Sequence, residues 1–267
     1  MSPKESFTNP SGHLYVQFGC GLCAPESWLN FDASPTLWLQ KLPLVGNLVP
    51  AGPFGRFPLN VLYGDIVNGL PIAPDSVALL YCSHVLEHLT LEELRLGLTN
   101  CYRYLQPGGI FRMVLPDLEV LISQYLQSDL PEAAHEFMQI SYLGKETRQR
   151  NLISFIKEWG SPLLCVITQA YRFMESLHSK SFTLLLRGLL TLMIPFSTQS
   201  REEPEWLSGS AHLWMYDYQS LSLELEKAGF RNIRRAQFGD SGIDQFKNVE
   251  DAERWVLELG IQCEKKS

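Results

Sequence analysis

The sequence predicts an α/β fold, with a doubly wound, mostly parallel sheet and an inserted helical cap. Short apolar segments with strand-forming residues alternate with helical segments up to about Leu118, which is typical of parallel sheets with helices on both faces. Helix-like sequence then extends to about Glu205, and strand-like segments return only after His212. We therefore expect the core to comprise residues 1–117 and 206–267, with residues 118–205 forming the cap.

The first three strands are predicted near the N-terminus. Residues His13–Phe18 are short and rich in strand formers, and Gly19-Cys20-Gly21 follows them at once. Trp28–Asp32 is a second short strand, which Ser34-Pro35 breaks. Val61–Tyr63 leads into a third strand end. This spacing predicts a glycine turn and an acidic residue at the ends of neighbouring strands.

The next segments alternate strand, helix and strand. Val77–Cys82 is a continuous apolar run, as in a strand that is covered on both faces. Thr90, followed by Glu92-Glu93, predicts a capped helix that stops before Pro107-Gly108-Gly109. Ile110–Leu115 is predicted to be a further buried strand.

The last third of the chain divides into two kinds of sequence. The apolar run at 182–196 is too short to span a bilayer and contains Arg187, so we interpret it as packed cap or dimer contact. A groove for a lipid-like molecule and weak attachment to a membrane surface remain alternatives. Farther on, Ser220–Gly229 predicts an amphipathic helix and Ile233–Phe238 a late strand.

Charge and composition exclude several classes of protein. The chain has 267 residues, of which 45% are hydrophobic, and its net charge of -7 gives no overall positive field for a nucleic acid. Arg231, Arg234 and Arg235 form a small basic cluster that we interpret as solvated surface. Residues 1–12 lack the apolar core of a signal peptide, which predicts a cytoplasmic protein.

The cysteines predict neither disulfides nor a metal site. The six Cys are scattered along the chain, as in proteins with reduced thiols. Cys20 and Cys23 form a Cys-x-x-Cys pair, but no second pair completes a zinc site. We therefore expect no metal.

The glycine turn and the following acid are the first candidate binding residues. Backbone amides at a strand-to-helix turn can hold a ligand's charged groups, and glycines let the ligand approach. Asp32 can accept hydrogen bonds from ribose hydroxyls at the end of the second strand. Taken singly, Gly19-Cys20-Gly21 is more typical of a structural turn, and Asp32 equally fits a strand-end cap.

Six motifs in order resemble the class I S-adenosylmethionine-dependent methyltransferases of the type 11 group. The resemblance covers Leu14–Leu118 and about His212–Cys263. The motifs are Val16–Gly21, Trp28–Asp32, Gly64–Ile66, Ser83–Leu89, Leu105–Gly109 with Pro116–Leu118, and His212–Asp217 with Ala228–Phe230. The resemblance implies a Rossmann-like methyltransferase fold, with S-adenosyl-L-methionine as cofactor and S-adenosyl-L-homocysteine as product.

The resemblance also implies a set of cofactor-binding residues. Gly19-Cys20-Gly21 would face the methionine part, Asp32 the ribose and Asp65 the adenine. The full set is Phe18, Gly19, Cys20, Gly21, Asn30, Asp32, Gly64, Asp65, Ile66, Ser83 and His84. Two positions depart from the family pattern: Gln17 replaces the acid that is common before the first glycine, and a third loop glycine is absent.

A methyltransferase needs a base only when the molecule that receives the methyl group must lose a proton. Methyl transfer is an in-line displacement that alignment alone can accelerate strongly. For a hydroxyl acceptor we predict His84, His212 and Asp117 as the candidate catalytic residues. His88 is more typical of an orienting or capping group, and Tyr216 and Trp214 of core aromatics.

The predicted function is transfer of a methyl group to an oxygen, with nitrogen as second choice, of a small molecule or saccharide. The saccharide follows from the family resemblance alone. We expect no nucleic-acid partner, no membrane span, and a monomer or homodimer. A catalytically inactive, methyltransferase-like binding module is the alternative. A nucleotide-binding oxidoreductase ranks last, because the Gly-x-Gly-x-x-Gly fingerprint is incomplete.

Overall fold

The computed structural model describes residues 13–41, 46, 56–127 and 212–267. The chain divides into two compact units. The described residues of the first unit are 13–33, 58–127 and 212–267, and those of the second are 34–41, 46 and 56–57. Residues 128–205 of the predicted helical cap lie outside the described residues, so the cap stays a prediction.

The first unit contains a seven-stranded sheet. The strands are β1 (Leu14–Phe18), β2 (Leu29–Asp32), β3 (Val61–Tyr63), β4 (Val77–Ser83), β5 (Leu105–Pro116), β6 (Arg231–Ala236) and β7 (Glu258–Glu264). Their order is β3-β2-β1-β4-β5-β7-β6. Strands β1 to β5 run parallel to one another, whereas β7 is antiparallel to both β5 and β6. The predicted doubly wound, mostly parallel sheet is confirmed.

Four α-helices and three short 3-10 turns are described. The helices are α1 (Pro35–Gln40), α2 (Leu91–Tyr104), α3 (Leu118–Gln127) and α4 (Tyr218–Lys227), and the turns are Leu86–His88, Asp244–Asn248 and Ala252–Trp255. Helix α2 begins at a capping box between Thr90 and Glu93, as the sequence predicts, and α4 begins at a box between Asp217 and Ser220. Among the described residues, no helix is both long and apolar enough to cross a membrane.

Three elements differ from prediction. Strand β5 begins at Leu105, directly after α2, so that Pro107-Gly108-Gly109 lies inside the strand. The pairing of β4 with β5 is irregular there, and a Cβ on Gly109 would lie 2.9 Å from the Val77 carbonyl oxygen, which is why glycine is needed. Helix α1 starts at Pro35, where only a break was predicted, because proline is well suited to the first turn of a helix. Strand β7 was not predicted at all.

Side chains alternate between two cores on opposite faces of the sheet. One core includes Val16 and Leu80 and packs against α2 and α4. The other includes Tyr15 and Tyr81, and the aromatic residues of the two later 3-10 turns complete it. Both faces of the sheet are therefore covered, which leaves the strand ends as its polar edges.

A buried arginine holds the segment between β6 and β7 against the sheet. Arg112 on β5 is fully buried, and its guanidinium donates to Glu250, to Asp240 Oδ1 at 2.9 Å and to Gln262 Oε1 at 3.1 Å. The guanidinium also lies 4.6 Å from the centre of the Trp255 ring. This network fixes the 3-10 turn Ala252–Trp255, one residue of which reaches the candidate site.

Candidate functional site

The candidate residues follow the carboxyl ends of successive parallel strands. Gly19-Cys20-Gly21 follows β1, Asp32 ends β2, Gly64–Ile66 follows β3, Ser83-His84 ends β4, and Asp117 follows β5. Because these ends meet at one edge of a parallel sheet, the fold gathers residues that are far apart in sequence. This edge is where doubly wound proteins bind their ligands.

The glycine turn has one tightly packed position and one open position. Both Gly19 and Gly21 have positive φ angles, of +65° and +53°. A Cβ on Gly19 would lie 2.1 Å from Val85 Cγ2, whereas a Cβ on Gly21 would have nothing within 4 Å. The Gly21 amide donates to Asp32 Oδ2 at 2.9 Å. The turn therefore borders open space next to the carboxylate that ends β2.

Gln17 and Asn30 organise the loop that follows the glycine turn. Gln17 Nε2 donates to the Cys23 carbonyl at 2.7 Å and to Asn30 Oδ1 at 2.6 Å. Asn30 Nδ2 donates to the carbonyls of Pro25 and Trp28, at 3.1 Å and 2.9 Å. Both side chains are buried. The amide that stands in place of the family's acid thus supports the loop from beneath, and the predicted cofactor contact of Asn30 stays a prediction.

The residues after β3 combine packing with a polar turn. A Cβ on Gly64 would lie 2.8 Å from Phe31 Cδ1, so close packing explains this glycine. Asp65 Oδ1 accepts from the Val67 amide at 3.0 Å, which closes a local turn. Phe18 and Ile66 are buried in the core. Their predicted contacts with a cofactor remain untested by the geometry.

His84 occupies a strained position after β4. Its φ angle is +52°, which is uncommon outside glycine and often occurs at functional sites. Nδ1 lies 3.3 Å from Glu87 Oε1, and Nε2 lies 3.3 Å from the Arg254 carbonyl oxygen. Burial lowers the pKa of His84, but the hydrogen bond and charge of Glu87 outweigh it, so the pKa is raised. The imidazole therefore stays protonated to higher pH than usual.

Arg254 is a site residue that the sequence does not reveal. Its Nη1 donates to Ser83 Oγ at 3.3 Å, while its carbonyl faces His84. It belongs to the 3-10 turn that the Arg112 network holds in place. No local pattern indicates this contact, because Arg254 lies some 170 residues away in the chain.

Glu87 lies at the centre of the polar groups beyond β4. Only 1% of its side chain is exposed, although its position in the chain is typical of a helix cap. Its carbonyl accepts from the amides of Leu213 at 2.7 Å and Trp214 at 3.2 Å, which holds the later segment against the 3-10 turn. As a result the rings of His88 and His212 lie 5.2 Å apart. The spacing His84-x-x-Glu87-His88 is the sequence signal that could have pointed to this cluster.

Asp117 is held by two groups at the start of α3. Its Oδ1 accepts from the Glu119 amide at 2.9 Å, and its Oδ2 accepts from Arg235 Nη1 at 3.1 Å. Arg235 also pairs with Glu119 and is about half exposed, as the interpretation of the basic cluster as solvated surface expects, while its contact with the buried Asp117 ties it to the start of α3. Asp117 as a proton acceptor stays a prediction.

The remaining candidates have mixed outcomes. Tyr216 is buried in the core, as expected, whereas Trp214 is 42% exposed and is not a core aromatic. Cys20 is buried and Cys23 exposed, and burial raises the pKa of both thiols. The thiolate that a redox role requires is therefore disfavoured.

An open depression of about 260 Å³ lies at the opposite edge of the sheet. His13 and Ala78, at the amino ends of β1 and β4, are among its lining residues. None of the candidate residues above contributes to it. We assign the site to the carboxyl edge, because that is where the polar groups converge.

The chain matches the family model of the methyltransferase domain over residues 37–113. This match includes Gly64–Ile66 and the polar turn Ser83–His88, and it begins after the glycine turn and Asp32. The strand order and the edge that carries the site agree with this match, which covers 77 of the 267 residues of the chain. The matching model is that of the type 11 group of methyltransferase domains.

Several solved structures are similar to the chain at low identity. One is a SAM-dependent methyltransferase from Archaeoglobus fulgidus, with 14% identity, 97% of this chain and 88% of that chain covered, and a TM-score of 0.41. Another is the complex between the Haloferax volcanii Trm112 methyltransferase activator and the putative methyltransferase. It has 13% identity, with 96% of this chain and 84% of that chain covered, and a TM-score of 0.42. Human N-acetylserotonin methyltransferase in complex with SAM has 12% identity, with 95% of this chain and 48% of that chain covered, and a TM-score of 0.40. A comparison with curated protein sequences gives no match.

Proposed function

We propose that this protein is an enzyme that transfers the methyl group of S-adenosylmethionine to an oxygen atom of a small molecule or saccharide, with nitrogen as the second choice. One observation carries the proposal: imidazole and carboxylate groups cluster beyond β4, at the same edge as the glycine turn. A hydroxyl acceptor must lose its proton during transfer, whereas an amine can attack with its lone pair. A cluster of proton-accepting groups therefore favours an oxygen acceptor.

The cofactor's parts follow the strand ends. S-adenosylmethionine supplies an electrophilic methyl group on its sulfonium. The open face of Gly21 is suited to the methionine part, and the Asp32 carboxylate can accept from the ribose hydroxyls. Asp65 would lie on the adenine side, and His84 at the rim nearest the methyl group. These residues align the two reactants, and His212, or His84 in its neutral form, takes the acceptor's proton.

The cofactor assignment is tested by comparing Gly21→Ala with Gly242→Ala. Both glycines have positive φ and nothing within 4 Å of an added Cβ, so each substitution should cost about 1–2 kcal/mol of stability. Only the first adds a methyl group to the proposed cofactor face. By calorimetry, we expect Gly21→Ala to weaken S-adenosylmethionine binding about tenfold or more and Gly242→Ala to leave it unchanged. Equal affinities in the two variants would contradict the assignment.

The acceptor is tested with isotopically labelled S-adenosylmethionine. The enzyme is incubated with matched hydroxyl and amine compounds, sugars among them, and the products are weighed by mass spectrometry. We expect the label on hydroxyl compounds, with turnover strongly reduced in His212→Gln. Label on amines alone would overturn the oxygen assignment. Tight cofactor binding without transfer to any compound would favour the inactive binding module instead.

A further inference from the structure

Three side chains beyond β4 form a set that could bind a metal ion. Glu87, His88 and His212 each offer one ligand atom, and these atoms all lie within 4.8 Å of one another. One carboxylate and two imidazoles from two separate segments therefore converge on one point. The sequence analysis predicts no metal, because neither a second Cys pair nor a His pair completes a zinc site with Cys20 and Cys23.

The buried carboxylate is the second observation that points to a cation. Glu87 is 1% exposed, and its Oε2 has no hydrogen-bond partner among the described residues. Its Oε1 lies 3.3 Å from His84 Nδ1 and 3.9 Å from His88 Nε2. A buried carboxylate with an unsatisfied oxygen costs free energy, which a coordinated cation would offset.

The backbone holds this set together without a metal. Glu87 and His88 lie in the 3-10 turn Leu86–His88, and the amides of Leu213 and Trp214 donate to the Glu87 carbonyl. These bonds keep His212 beside His88. Ligand atoms around a tetrahedral ion, each about 2.1 Å from it, lie about 3.4 Å apart. Small side-chain rotations would close the present spacing to that value.

We propose that Glu87, His88 and His212 bind a divalent transition-metal cation, with Zn²⁺ as the best-fitting ion. Imidazole ligands favour zinc and similar metals, whereas Mg²⁺ and Ca²⁺ prefer oxygen ligands throughout. His84 acts as a positioning residue that orients the Glu87 carboxylate through Oε1.

Three protein ligands leave a fourth coordination position open, as in catalytic zinc sites. With a metal bound, His212 is a ligand and no longer the proton acceptor: an acceptor hydroxyl at the open position would have a lowered pKa and would release its proton to water as its oxygen bonds to the methyl group. The sulfonium sulfur keeps the electron pair of the broken bond to carbon. This catalytic step rests on the proposed function, whereas metal binding does not.

The test titrates the metal-free, full-length protein with Co²⁺ and follows visible absorption. We expect one Co²⁺ per chain and loss of the absorption when Zn²⁺ is added. Glu87→Gln and His212→Asn should each weaken the affinity about 100-fold or more, and His84→Gln about 10- to 100-fold. Cys23→Ser, which removes the exposed thiol of the other candidate pair, should leave the affinity unchanged.

The opposite pattern would overturn the proposal. Absence of stoichiometric binding would overturn it. Binding that survives both ligand substitutions and disappears in Cys23→Ser would overturn it as well. If Glu87→Gln fails to fold by circular dichroism, the more exposed ligands decide the outcome, through His212→Asn and His88→Asn. Thermal unfolding gives a second readout, since Zn²⁺ should raise the Tm of the wild type and not of these variants.

Cofactor binding is measured separately by calorimetry. S-adenosylmethionine binding without Co²⁺ binding would sink the metal inference and leave the proposed function standing. Co²⁺ binding without S-adenosylmethionine binding would do the reverse.

Discussion

Gly19 shows how a single missing side chain fits two turns together at the edge of the sheet. Its positive φ angle favours glycine, and the space of its absent Cβ is taken by Val85, which precedes the buried Glu87 by two residues. The turn after β1 and the turn after β4 therefore touch through this one position. The contact with Val85 is enough to explain why the first position of the motif is glycine, because the explanation requires no bound ligand.

Substituting Gly19→Ala should destabilise the protein by about 2–5 kcal/mol. The left-handed backbone costs about 1–2 kcal/mol, and overpacking against Val85 costs about 1–3 kcal/mol. In the background of Val85→Ala, adding Gly19→Ala should cost only the backbone contribution, because the side chain that it overpacks has been removed. Urea denaturation of the two single variants and the double variant measures this coupling. Additive effects would show that the 2.1 Å contact is not the cause.

At the scale of elements, Arg112 joins β5 to the segment that precedes β7. All its partners lie between Gln237 and Gln262, and Glu250 is as deeply buried as the arginine itself. A buried ion pair contributes little net stability when it is complete, but removing one partner leaves an uncompensated charge.

We expect Arg112→Met to reduce the free energy of unfolding by about 3–5 kcal/mol, because the Glu250 carboxylate would be buried without its partner. Arg234→Met is the matched control, since Arg234 pairs with Asp240 at the surface, and it should cost at most about 1 kcal/mol. The double variant Arg112→Met/Glu250→Gln should recover part of the loss. Chemical denaturation at neutral pH compares the four proteins, and similar costs for Met at the two arginine positions would refute the argument.

The elements that the sequence predicts well are those with local causes. The strands β1 to β4 are predicted within a residue or two, since each is a short apolar run between turn residues, and the start of α2 follows from Thr90 and Glu93. Strand β7 escapes prediction because it carries Gln262, a buried polar residue whose partner is Arg112 on another strand. Burial of Glu87 escapes for the same reason: its contacts come from a segment more than 120 residues away.

For the whole molecule, the pH dependence of stability should include a contribution from Glu224. Arg95 on α2 donates to both of its oxygens, at 2.8 Å and 3.0 Å, and lowers the pKa of Glu224 from 4.5 to about 2. A lowered pKa stabilises the folded state above pH 4.5, and this contribution is lost as the pH falls through 2. The link joins α2 to α4 across one face of the sheet.

Glu224→Gln should therefore reduce stability by about 1 kcal/mol at neutral pH, with a difference from the wild type that shrinks between pH 4.5 and pH 2. Asp244→Asn is the control: Asp244 pairs with Lys247 in full contact with solvent, which screens the pair, so its difference should be much smaller. Thermal unfolding across this pH range measures both. A Glu224→Gln difference that stays constant down to pH 2 would exclude the pair as the source.

The antiparallel pairing of β7 has a consequence for how the protein is made. This strand enters the sheet between β5 and β6, although it is the last described strand in the chain. During synthesis, the five parallel strands can assemble as soon as β5 has left the ribosome. The free edge of β5 then stays unpaired until some 140 further residues, up to β7, have been made. An unpaired strand edge of this kind invites association with other chains. The nascent chain should thus depend on chaperones, or on rapid synthesis of the remaining residues, while the edge of β5 is unpaired.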